Sequence, residues 1–175
     1  TPNASLRTRE NGQKSRRPNV YQPQTISQQS LSEDAEYLVY GANGIIGRFH
    51  KFNHEKEQIA ITCRGSTCGF VNLTQTFSWI TGNAMVVNVD NNKNIVKIFL
   101  YYLLKSTDWS YQVSGSGQPQ ITGSIKKHKM FLPSMMEQKK IATFLSSIDT
   151  KIQKTSSQIE QMETFKKGLL QQMFV

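Results

Sequence analysis

Apolar residues recur on one helical face along the last quarter of the chain. Ile141, Leu145, Ile148, Ile152, Thr155, Ile159, Met162, Lys166, Leu169 and Met173 follow one another at alternating gaps of four and three residues. Only Thr155 and Lys166 are not apolar, no Pro follows Pro133, and Gly168 is the only Gly in the run. A 3-4 repeat of this kind lays a narrow apolar seam along a long helix, as in a coiled coil. Ser134 supplies an N-cap, and Glu137 three residues on completes a capping box. One helix is therefore predicted over 134–175. It cannot bury its own seam, so it requires a second helix.

Ahead of the helix the pattern changes to short β-rich runs. Tyr37–Tyr40 and Ile45–Phe49 flank Gly41-Ala42-Asn43-Gly44, a hairpin turn in which Asn-Gly supplies positive φ. Further strands are expected at Gln58–Cys63, Gly69–Asn72, Phe77–Thr81 and Asn83–Val89. Asn91 is placed to cap a core helix from about Lys93 to Leu104, rich in aromatic residues and Leu. A glycine-rich loop, Ser114 to Ile121, follows, and Met130-Phe131-Leu132 has strand character. The order predicts an α/β (α+β) domain with a protruding C-terminal helix. Three segments result: a polar N-terminal segment 1–32, either a tail or a polar loop region crossing a surface, a globular domain 33–133, and the helix 134–175. In the first, only Val20, Tyr21 and Ile26 look able to dock.

Charge sharpens this division. The chain has 175 residues and a net charge of +9. Residues 1–30 carry Arg7, Arg9, Lys14, Arg16 and Arg17 against Glu10, whereas the helix is nearly balanced. A basic globular part points to a polyanion, with ordinary solubility charge as the alternative. No apolar run approaches the ~20 residues of a membrane span, and no secretory leader is evident at the start, so a cytoplasmic location is expected. Two cysteines are too few for a secreted disulfide framework.

Candidate chemistry is sparse. His50, His54, Cys63 and Cys68 contain soft ligands, but their spacing departs from that of zinc modules. The Ser114–Gln120 loop lacks the Lys-Ser/Thr of a nucleotide-binding loop. No nucleophile-base or paired-carboxylate arrangement stands out, so no catalytic residue, metal site or cofactor is assigned. Basic and amide side chains on loops remain, and these read base edges and phosphates. The candidates are Arg48, Lys51, Arg64, Ser66, Ser116, Gln118, Gln120, Lys126 and Lys127.

Several stretches resemble one family. Leu132-Pro133-Ser134-Met135-Met136-Glu137-Gln138-Lys139-Lys140-Ile141-Ala142, Phe144–Asp149 and Lys167–Phe174 look like the conserved helical region of the specificity (S) subunit of type I restriction–modification systems. Tyr40–Gly47, Arg64–Ser66 with Cys68–Val71, Asn83–Val87 and Gly115–Ile121 are similar to stations in that family's target recognition domains. The resemblance spans about 36–175.

It implies a DNA-reading part that is not itself an enzyme. In the family, two target recognition domains and two antiparallel helices set the distance between two half-sites. Methyltransferase (M) subunits bind them and hold S-adenosylmethionine and the catalytic residues; restriction (R) subunits complete the complex. One domain and one helix look like half of such a subunit, which by family precedent pairs with a copy of itself through Ile141, Leu145, Ile148, Ile152, Ile159, Met162, Leu169 and Met173. Lys166 on the seam disfavours a simple parallel pair. Two other readings are a coiled-coil adaptor whose globular part binds protein, and the specificity module of a fused restriction–methylation enzyme.

Overall fold

The computed structural model describes residues 17–42, 44–114, 119–121, 125, 128 and 130–174. Among the described residues there are nine short strands, two α-helices and two 3-10 turns. The strands are β1 (Asn19–Tyr21), β2 (Tyr37–Gly41), β3 (Gly44–Phe49), β4 (Ile59–Thr62), β5 (Val71–Leu73), β6 (Trp79–Ile80), β7 (Ala84–Asn88), β8 (Val113–Ser114) and β9 (Gln120–Ile121). The helices are α1 (Lys97–Lys105) and α2 (Met135–Met173). This is the mixed α/β architecture with one long terminal helix that the residue pattern predicts.

A four-stranded antiparallel sheet, β1-β7-β4-β5, lies at the centre. Successive side chains of a strand point to opposite faces. Ile59, Ile61, Met85 and Val87 therefore share one face, where they pack with Leu100, Leu104, Trp109 and Ile121. Ala60, Ala84 and Val86 share the other, against Tyr40 and Ile80 of the second sheet, ordered β3-β2-β6. Burial on both faces explains why β4 and β7 read as unbroken apolar runs. The β2–β3 hairpin turns where expected, with Gly44 at φ +79.

The chain departs from expectation in three places. β1 lies within the stretch read as a polar N-terminal segment, and it is an edge strand paired with β7. Gly82 accommodates the segment that follows: a Cβ there would lie 2.9 Å from the Pro23 carbonyl oxygen. Helix α1 begins at Lys97, not Lys93, and Asn91 does not cap it. Its N-cap is Val96, which has no side-chain cap. The residues before it are held in turns, with Asn94 N–H bonded to Asn92 Oδ1 at 3.0 Å. Lastly, 130–132 forms no strand. Met130 and Leu132 pack on the core as an irregular segment while Phe131 faces outward.

Helix α2 starts with the expected capping box, Ser134 with Glu137. Its first part lies on α1: Gln138 and Ala142 are buried, and the Tyr102 hydroxyl donates to Asp149 Oδ2 at 2.8 Å. From Thr150 to Phe174 every residue except Gly168 is exposed. About 24 residues thus stand clear of the domain, ~36 Å at 1.5 Å per residue. Among the described residues, no helix is long and apolar enough to cross a membrane.

Candidate nucleic-acid interface

Three connections meet at one end of the central sheet. Thr62 Oγ1 and Thr67 Oγ1 both donate to the Ala42 carbonyl, at 2.8 and 2.6 Å, tying the β2–β3 turn to the β4–β5 loop. Gly65 N–H donates to the Pro119 carbonyl, and Ile121 N–H to the Cys63 carbonyl, each at 3.0 Å. A bridge pairs Arg64 with Gln120. Backbone bonding thus fixes the loops while Arg64, Ser66 and Gln120 present exposed side chains. Among the described residues, no side-chain hydrogen bond occupies these three groups, so a charged fork, a hydroxyl and an amide face solvent together. That set can contact phosphate oxygens and base edges.

Arg48 and Lys51 lie away from this cluster. Arg48 is four residues along β3 from the turn, about 13 Å away at strand rise. Its Nη1 donates to the Glu36 carbonyl at 2.9 Å, and it lines a shallow cleft of about 360 Å³ with Tyr37, Gln75 and Phe77. Lys51 is exposed just beyond β3. Ser116, Gln118, Lys126 and Lys127 fall outside the described residues.

The four soft ligands are put to different uses. His54 is buried, with Nε2 2.9 Å from the Tyr21 hydroxyl and Nδ1 2.6 Å from Asn53 Oδ1. Burial lowers its pKa below the ordinary histidine value. Cys63 is buried beside Gln22, whose Nε2 lies 3.1 Å from Sγ, and burial pushes its thiol up. Burial likewise raises the half-buried Cys68 thiol. His50 is exposed. Among the described residues, no three His, Cys, Asp or Glu side chains are grouped to hold a metal.

On α2 the seam is open. Ile152, Ile159, Met162 and Met173 are 57%, 54%, 69% and 72% exposed; Ile141, Ile148 and Leu169 are less so, and Leu145 is half-buried. Phe144, 65% exposed, widens the stripe. It stands three residues after Ile141 and four before Ile148, so helical spacing alone could have found it. Ile45, Ile46 and Phe70 are exposed apolar side chains beside the loop cluster that no periodicity marked.

Comparison with known proteins decides the family. The profile described as type I restriction modification DNA specificity domain matches residues 18–164, most of the chain. The chain belongs to this family. Two specificity-domain relatives are each 31% identical to it. One is the specificity subunit of the type I restriction enzyme EcoprrI of Escherichia coli, matched over 73% of this chain and 32% of the relative. The other is the specificity subunit of the MjaVIII enzyme of Methanocaldococcus jannaschii, over 79% and 33%. The specificity-domain chain thus spans about a third of the curated relatives it matches. Among solved structures, the S subunit of a type I restriction-modification system from M. genitalium superposes with a TM-score of 0.71 at 25% identity. It covers 82% of this chain and 40% of that one. The HsdS subunit from Thermoanaerobacter tengcongensis shares the fold, with a TM-score of 0.51 at 15% identity over 78% and 36%. The match begins at residue 18, so it takes in β1.

Proposed function

We propose that this specificity-subunit chain reads one half of a split site in double-stranded DNA and directs methyltransferase subunits to it. The observation that carries the reading is the loop cluster, where Arg64, Ser66 and Gln120 stand together with polar groups that no described residue occupies by a side-chain hydrogen bond. Ser116, Gln118, Lys126 and Lys127 belong to the same or adjoining connections in sequence. Arg48 and Lys51, at the far end of β3, serve as flanking phosphate contacts. The exposed seam of α2 pairs antiparallel with a second copy, giving a homodimer with two domains on separated half-sites. Its ~36 Å of free helix matches one turn of DNA, ~34–36 Å. The M subunits dock on helix and domain and carry S-adenosylmethionine and the chemistry; R subunits join the same complex. The chain itself transfers no methyl group and cuts no strand, and it works in the cytoplasm.

Duplex binding by the chain with its M subunits tests the interface. Affinity should fall steeply between 50 and 200 mM salt, with a log–log slope near −0.9 per phosphate neutralised. Arg64→Ala, if it removes one phosphate contact, lowers that slope by about one. A salt-independent affinity would overturn the electrostatic reading.

A further inference from the structure

Gln138 is the only α2 side chain longer than Ala that is fully buried, at 1% exposed. Its amide is bonded on every side. Oε1 accepts from Val96 N–H at 2.9 Å; Nε2 donates to the Asn94 carbonyl at 3.1 Å and the Pro133 carbonyl at 3.0 Å. Three backbone groups from two segments therefore converge on one side chain. One of them is the N–H of the α1 N-cap residue, where no side chain of α1 itself provides a cap. One turn further on, Ala142 is buried and small enough for close approach of α1. Beyond it, Tyr102 holds Asp149.

We infer that Gln138 is a positioning residue that fixes the angle at which α2 leaves the DNA-reading domain, and with it the distance between half-sites. The inference rests on the proposed function for its DNA consequence and on the chain alone for its mechanical part. An apolar side chain at 138 would fill the same space, but non-directional packing lets one helix slide or tilt on another. Three directional bonds do not. The lever makes the precision matter. Over ~36 Å of free helix, a tilt of about 5° moves the far end by about 3 Å, close to the 3.4 Å rise of one base pair.

The test is the distance distribution between spin labels on non-natural residues at positions 55 and 154 of the full chain. The labelled chain is diluted with unlabelled copies so that only intramolecular pairs are read. The wild type should give one narrow distribution. Gln138→Leu, which keeps the volume and removes the bonds, should broaden it by several ångströms with helical content unchanged. Gln138→Asn, too short to reach all three partners, serves if the Leu variant does not fold. Distributions as narrow as the wild type in a folded variant would overturn the inference. With M subunits on a library of spacer lengths, the variant should also methylate sites one base pair longer or shorter. Methylation confined to the wild-type spacer would likewise overturn it. The distance arm contains no DNA, so its failure is separable from a failure of the DNA-reading proposal.

Discussion

Replacing Ile152 with Asp should dissociate the proposed dimer without unfolding the domain. Ile152 is 57% exposed in the single chain, and that exposed fraction is what a partner helix can bury. Fully burying an Ile contributes about 1.5–3 kcal/mol, so the exposed part accounts for about 1–1.7 kcal/mol per copy. A symmetric dimer contains the residue twice, which brings the lost burial to about 2–3 kcal/mol. Two carboxylates placed on an apolar seam add a desolvation cost of several kcal/mol per ion if they stay buried. Even with water reaching them, a total near 4 kcal/mol weakens dimerisation about 10³-fold. The monomer should be almost untouched, since exposed positions usually change stability by no more than about 0.5 kcal/mol. Sedimentation equilibrium over a concentration series reads the dimer constant directly. Gln153→Asp, about 100° round the helix from Ile152 and off the apolar seam, is the control for charge. A dimer constant for Ile152→Asp within about threefold of wild type would refute the role of the seam, as would equal weakening by both substitutions.

Two further outcomes test the packing of the domain. Burial raises the Asp90 carboxyl, but hydrogen bonds from Lys97, Gln58 and Asn88, with the Lys97 charge 2.7 Å away, outweigh it and leave its pKa below the ordinary value. A carboxyl depressed in the folded state contributes stability above its unfolded value, about pH 4, and loses it as pH falls through the folded value. Asp90→Asn should therefore lower stability at neutral pH by about 1–3 kcal/mol and flatten the acid decline below about pH 4, read by urea melts. Gly82→Ala places a Cβ 2.5 Å from Thr25 Oγ1 and 2.9 Å from the Pro23 carbonyl. The amides of β1 should then exchange faster; unchanged protection would mean that the N-terminal segment is not packed there.

Local chemistry made part of this fold readable in advance. The capping box of Ser134 and Glu137, the turn at Gly44 and the long helix over the 3-4 repeat each depend on residues within a few positions of one another. What was not readable depends on distant partners. β1 is three residues of polar context, and it is a strand because β7 offers an edge. His54 is only one of four soft ligands in the sequence until Tyr21, 33 residues away, is seen against it. α1 starts late because Asn92 bonds locally and because Val96 is met by Gln138 of another helix. Arg64 and Gln120 are separate loop residues in sequence, joined only by a long-range bridge. Nor does the sequence show that one Arg48 nitrogen, Nη1, donates to the Glu36 carbonyl.

Methylome sequencing of cells expressing this chain with its M subunits tests the central claim most directly. One methylated motif is expected, made of two short half-sites, palindromic about a spacer of fixed length, and absent when the chain is omitted. Methylation that does not depend on the chain, or a motif without a split, would contradict it.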